Sequence, residues 1–131
     1  MDTKQINIQA LAFLGDAVFS LFIREKLIKS GLSNSNTLQN KSIEYVSAKG
    51  QVNILNKLIN KNFLNEEELD IVKRGRNNNN TSHPKNTDII TYKLSTGFEA
   101  LLGYLYLDNP KRLEEVLQLI EVKKWKYMVK M

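Results

Sequence analysis

Apolar residues along this chain recur at spacings of three and four, and no segment shows the strict alternation of a surface strand. Between Ile8 and Lys29, Leu11, Leu14, Val18, Leu21 and Phe22 fall on one stripe, while Phe13, Phe19 and Ile23 add apolar surface elsewhere. The spacing predicts a helix that is apolar most of the way round and covered on both sides, with Ser30-Gly31 as its stop. After a polar turn at 33–37, a second helical region is expected from about Thr37 to Asn62, bent or broken near Gly50. Its core candidates are Ile43, Val46, Val52, Leu55, Leu58 and Ile59. Asn65 followed by Glu68 is a capping signature, and Glu66 and Glu67 suit the positive end of a helix that ends near Arg76. A loop is expected over Asn77–Asn86, opening with consecutive asparagines. Asp88 to Leu107 reads as a central helix, apolar nearly all round, in which Gly97 and Gly103 permit close approach of neighbouring backbones. Asn109 and Pro110 sit at the cap and first position of a last helix carrying Leu113, Val116, Leu117 and Ile120. The expectation is an all-α fold, one domain over residues 1–131, without internal repeats.

Composition narrows the chemistry. The absence of cysteine excludes disulfides and thiolate metal sites. The start of the chain has no basic segment, apolar run and small-residue cleavage site in series, and no apolar run reaches the roughly 18 residues of a membrane span. A soluble cytoplasmic domain, not bound to membrane, is expected. The formal net charge of +5 favours an anionic partner such as nucleic acid, although a charge of that size also serves solubility alone.

Most acids have ordinary explanations, with Glu66, Glu67 and Glu68 in a first turn and Glu114 and Glu115 on a solvated face. Asp16 and Glu99 do not. On a wheel of ~100° per residue, Asp16 falls opposite the first stripe, among Ala12, Phe19 and Ile23. Glu99 lies within Gly97-Phe98-Glu99-Ala100-Leu101-Leu102, in the most apolar helix. Neither has a basic residue three or four positions away. Both are therefore expected in apolar surroundings, where a carboxylate needs a partner. Loop amides or distant Lys and Arg are one solution. A hard divalent cation, magnesium or manganese, held by oxygen ligands is the other. Gly15 and Gly103 are expected to leave room for a bulky ligand beside the two acids.

Phe13-Leu14-Gly15-Asp16-Ala17-Val18 resembles the signature helix of ribonuclease III endonuclease domains. Phe98-Glu99-Ala100-Leu101-Leu102-Gly103-Tyr104-Leu105-Tyr106-Leu107-Asp108 resembles that family's other catalytic helix, in the family's order. Tyr45-Val46-Ser47-Ala48-Lys49, Lys73-Arg74-Gly75-Arg76-Asn77 and Ser95-Thr96-Gly97-Phe98-Glu99-Ala100 are similar to the short Mini-ribonuclease III branch, which lacks the double-stranded-RNA-binding domain. The resemblance implies a homodimeric, metal-dependent hydrolase of double-stranded RNA that leaves 5′-phosphate and 3′-hydroxyl ends. Within the branch it implies precursor large-subunit ribosomal RNA as substrate, and a ribosomal protein is a candidate helper. Asp16 and Glu99 match the family's metal-binding Asp and Glu. Gln9, Ala12 and Thr96 stand where full-length relatives carry further carboxylates, which leaves the number of metal ions open.

Lys73, Arg74, Arg76, Asn77, Lys85 and Lys93 flank the asparagine-rich loop ahead of Glu99, and with Lys49 and His83 they are the candidate RNA contacts. For His83, solvation is as good a reading as RNA contact, and one lone histidine is no basis for a general base. Lys123, Lys124, Lys126 and Lys130, with Trp125 and Tyr127, either extend that footprint or form a solvated helix end. The rival functions are a non-catalytic RNA-binding or ribosome-associated module, a nucleotide phosphohydrolase and a structural adaptor. The first conflicts with the presence of both acids, the second with the scarcity of histidine, and the third leaves both acids unexplained.

Overall fold

Short polar side chains open each of the six α-helices among the described residues, which is why the chain breaks where it does. Asn7, Asn34, Ser47, Asn65, Asp88 and Asn109 each accept a hydrogen bond from a first-turn amide that has no partner within its helix. The computed structural model describes residues 2–78 and 88–122. A 3-10 turn at Thr3–Gln5 precedes α1 (Ile8–Lys29), α2 (Ser35–Val46), α3 (Ala48–Asn60), α4 (Glu66–Arg76), α5 (Ile89–Asp108) and α6 (Pro110–Gln118). No strand occurs among the described residues. The break expected near Gly50 falls at Ser47, which ends α2 and accepts from the Gly50 amide at 3.1 Å. Asn65 and Glu68 form the reciprocal capping box that their spacing suggests.

Helix α5 is the axis of the fold, flanked by α1, α4 and α3. Phe19 of α1 meets Phe98 of α5 edge to face at 5.3 Å between centroids. Contrary to the expected cover on both sides of α1, only one face is turned inward, that of Leu11, Ala12, Gly15, Phe19, Ile23 and Leu27. Leu14, Val18 and Phe22 are only partly buried, and Leu21 is 70% exposed. Backbone proximity selects this face on a helix that is apolar almost all round. A Cβ on Gly15 would lie 1.7 Å from the carbonyl oxygen of Glu99, and one on Gly103 would lie 1.9 Å from that of Leu11. No larger residue lets α1 and α5 come this close. The expectation that the two glycines leave room for a bulky ligand is thus corrected: the space at each is filled by the opposite helix. Gly97 approaches α4 in the same way, at the Val72 carbonyl. Ile43 and Ile59, expected in the core, lie at the surface.

The most buried acid in the described residues is Glu68, at 2% exposure, and not one of the two singled out in the sequence. It accepts from Arg112 Nε at 2.7 Å and Nη2 at 2.8 Å, while Nη2 also donates to the Phe63 carbonyl at 2.6 Å. The guanidinium lies over the Phe63 ring, 4.3 Å from its centroid. Burial acts to raise the Glu68 carboxyl, but the bonds from Arg112 and Asn65 outweigh it and hold the group below its ordinary value. This pair ties α4 to α6 and is structural.

Candidate active site

The crossing of α1 and α5 at Gly15 and Gly103 brings Asp16 beside Glu99. Asp16 follows the glycine that abuts the Glu99 carbonyl, so its carboxyl comes within hydrogen-bonding reach of the Glu99 carboxyl. Asp16 is exposed and Glu99 half-buried, which corrects the expectation that apolar surroundings enclose both. Asp16 sits at the edge of α1's inward face, where the helix meets solvent. Burial, above all, pushes the Glu99 carboxyl up to about 8, and Asp16 pushes it the same way, whereas a hydrogen bond from Gln51 pulls it down. Neither acid forms an ion pair with another described residue.

The acids open onto a cleft of about 500 Å³, which Gln9, Ala12, Phe13, Gly75, Asn78, Tyr92, Lys93 and Thr96 also line. Gln9, Ala12 and Thr96, the three positions where full-length relatives carry further carboxylates, thus all face this cleft without charge. Among the described residues no group of three or more His, Cys, Asp and Glu is placed to hold a metal ion. The donor set is two adjacent carboxylates with no cationic partner among the described residues. That chemistry fits a hard divalent cation whose remaining ligands are water and phosphate.

Of the candidate RNA contacts, Lys93 lines the cleft directly. Lys73, Arg74 and Arg76 form the exposed last turn of α4, whose end reaches the cleft through Gly75 and Asn78. Arg74 Nη2 donates to the Lys4 carbonyl at 3.5 Å, and Arg76 Nε donates to Asn77 Oδ1 at 3.2 Å. Lys49 is exposed in the first turn of α3 and does not line the cleft. His83 and Lys85 lie outside the described residues, as do Lys123, Lys124, Trp125, Lys126, Tyr127 and Lys130.

Gln51, on α3, is a site residue that the sequence reading missed. Its Nε2 donates to Glu99 Oε2 at 3.1 Å, from a side chain only 2% exposed. The available signal was one polar residue on the stripe Gln51, Leu55, Leu58.

The ribonuclease III domain profile matches residues 9–110 of the chain. The chain is 45% identical over 118 residues to Mini-ribonuclease 3 of Streptococcus pneumoniae, covering 89% of this chain and 92% of that one. It is 48% identical over 118 residues to the Brevibacillus brevis Mini-ribonuclease 3, covering 89% and 87%. The chain belongs to the ribonuclease III family, in its Mini-ribonuclease III branch. A crystal structure of a Fusobacterium nucleatum protein superposes with a TM-score of 0.77 at 33% identity, over 90% of this chain and 93% of that one. As a Mini-ribonuclease III the chain is an endoribonuclease, and the Asp16–Glu99 cleft lies where α1 and α5 meet. No described helix is long and apolar enough to cross a membrane.

Proposed function

We propose that the chain cleaves double-stranded RNA in a reaction that depends on magnesium or manganese, with precursor large-subunit ribosomal RNA as substrate. The observation that carries this reading is the adjacency of Asp16 and Glu99, two carboxylates with no cationic partner among the described residues, at the mouth of an open cleft. Asp16 and Glu99 would hold the metal. When bound, the ion polarises the scissile phosphate and lowers the pKa of the attacking water. Lys93, on α5 with Glu99, brings a positive charge to the same cleft. Lys73, Arg74 and Arg76 approach it from the end of α4, where they position phosphates without reading sequence. Asn77, His83 and Lys85 are further RNA contacts in this reading, and Lys49 contributes a second point of contact. The substrate class follows from the family's chemistry, and the ribosomal target follows from the branch. The test is incubation with a duplex and with the matching single strand, with and without magnesium. Only the duplex in the presence of magnesium should be cut, leaving 5′-phosphate and 3′-hydroxyl ends. Equal cleavage in chelator would remove the metal.

The phosphate contacts have their own check. Each neutralised phosphate contributes a slope of about −0.9 in log affinity against log salt for duplex DNA, and a similar order is expected for RNA. Replacing Arg74 and Arg76 with Gln should flatten the slope by roughly one to two. An unchanged slope would take α4 out of the interface.

The active form is proposed to be a homodimer. The middle of α5, Phe98 to Leu105, is largely buried within one copy of the chain, while α1 carries a continuous uncovered apolar surface. Leu14, Leu21 and Ile28 follow one another at intervals of seven, with Ala10, Phe13 and Ala17 alongside. Phe13 is 84% exposed and Ile28 60%. An apolar stripe this long on a charged protein is an association surface, and a self-complementary stripe suits a second copy across a two-fold axis. Light scattering should give twice the 15.1 kDa chain mass, and Leu21→Asp should return it to one. A monomeric unmodified protein at micromolar concentration would contradict this.

A further inference from the structure

Gln51 sits where the break between α2 and α3 meets α5. Its Nε2 has two hydrogens, and both are used: one on the Val46 carbonyl at 3.1 Å, the other on Glu99 Oε2 at 3.1 Å. Turning the amide over would set its oxygen against a carboxylate and a carbonyl, two acceptors, so the partners fix its orientation. The cost of that orientation is visible: Gln51 Oε1 is buried with no hydrogen-bond partner. A buried acceptor without a donor is unfavourable and offsets part of what the two donated bonds contribute. The bond to the Val46 carbonyl serves the helix end, but it leaves the second donor, which is spent on Glu99, unaccounted for. Its use lies in the bond to Glu99.

We propose that Gln51 is a positioning residue that holds one oxygen of Glu99 and so leaves the other turned toward Asp16 for a shared divalent cation. This rests on the reading of Asp16 and Glu99 as metal ligands. Glu99 belongs to a long helix and its side chain has several rotamers. Once Glu99 is ionised, repulsion from Asp16 acts to swing its carboxylate away, and a neutral donor fixed in the core opposes that swing without cancelling the charge the cation needs. A lysine in the same place would neutralise the carboxylate and compete with the metal. The Val46 bond anchors the amide: Val46 ends α2, and the Gly50 amide that would continue the helix to it is taken by Ser47 Oγ. The break between α2 and α3 thereby frees the carbonyl that orients Gln51.

The test is Mn2+ binding by the full chain without RNA, measured by calorimetry, for the unmodified protein, Gln51→Met, Gln51→Leu and Asp16→Asn. Methionine keeps length and volume while removing both donors. Partners that orient metal ligands typically contribute about 10- to 100-fold in affinity. Gln51→Met should therefore raise the Mn2+ Kd by about tenfold or more in a protein that still folds, its metal-free Tm lowered by loss of the Val46 bond, with the Mg2+ midpoint for cleavage raised by a similar factor. Gln51→Leu should do the same. A Kd within twofold of the unmodified protein in a folded Gln51 variant, with Mn2+ binding lost in Asp16→Asn, would overturn the role of Gln51 and leave the metal site standing. Absence of Mn2+ binding by the unmodified protein would overturn both. If neither Gln51 variant folds, the amide is architectural and the inference falls.

Discussion

Asp16→Asn and Glu99→Gln are each expected to abolish cleavage and to make the metal-free protein more stable. The first effect follows from charge. A bound metal ion contributes several kcal/mol of transition-state stabilisation, and each 1.36 kcal/mol is tenfold in rate, so losing one of two protein ligands should slow cleavage on the order of a thousandfold or more. The second effect separates this site from a structural ion pair. Glu99 is raised to about 8, foremost by burial and then by Asp16. The folded state therefore binds more protons than the unfolded state between its ordinary value and about 8, and stability falls as pH rises through that window. Below about pH 4.5 the carboxyl is protonated in both states and the penalty vanishes; above pH 8 it is fully present. Glu99→Gln removes it, with a gain on the order of 1–3 kcal/mol at pH 8, or several degrees in Tm. At pH 4.5 the variant and the unmodified protein should melt nearly together. Magnesium should raise the Tm of the unmodified protein at pH 8 and leave that of Glu99→Gln in place. A variant that melts lower at pH 8, or still cuts duplex RNA at near-normal rate, would count against the assignment.

The two candidate acids were legible in the sequence because each stood alone in an apolar segment. Their degree of enclosure was not legible. Helical spacing places a side chain on a face, but α1 is apolar on nearly every face, and the wheel has no means of choosing which one turns inward. The choice was made by Gly15 and Gly103, whose effect depends on two helices meeting at one point. Glu68 shows the converse. As part of a first-turn acidic run it had a sufficient local explanation, yet Arg112 from α6 draws it into the interior. Gln51 was hidden for a third reason: an uncharged amide on a helix raises no electrostatic question until its partner, forty-eight positions away, is known. Caps and helix ends came through best, because Asn65, Asp88 and Asn109 act on amides within three residues of themselves.

Gly15→Ala is expected to be the most damaging single-methyl change in the molecule outside the acids themselves. The added Cβ would lie 1.7 Å from the Glu99 carbonyl oxygen and 2.6 Å from its carbonyl carbon, both backbone atoms that cannot rotate aside. Relief requires α1 and α5 to separate by more than an ångström along their shared crossing. Phe19 and Phe98 pack across that same crossing, and interiors this dense do not yield without loss of contact. Overpacking in a core commonly costs about 1–3 kcal/mol and occasionally more, and a clash with backbone falls at or above the top of that range. Function should suffer beyond what stability explains. Asp16 is the next residue, and any separation of the helices at Gly15 widens its distance to Glu99. A variant measured well below its own Tm should therefore show weakened Mn2+ binding and reduced cleavage, even where its circular dichroism remains helical. Gly103→Ala meets the Leu11 carbonyl oxygen at 1.9 Å, one turn along the same crossing. It should give a similar loss of stability, with a smaller loss of metal affinity because it lies farther from the acids. Urea denaturation measures the first quantity and calorimetric metal titration the second. If Gly15→Ala matches the unmodified protein in both, the close approach of α1 and α5 is not what holds Asp16 against Glu99.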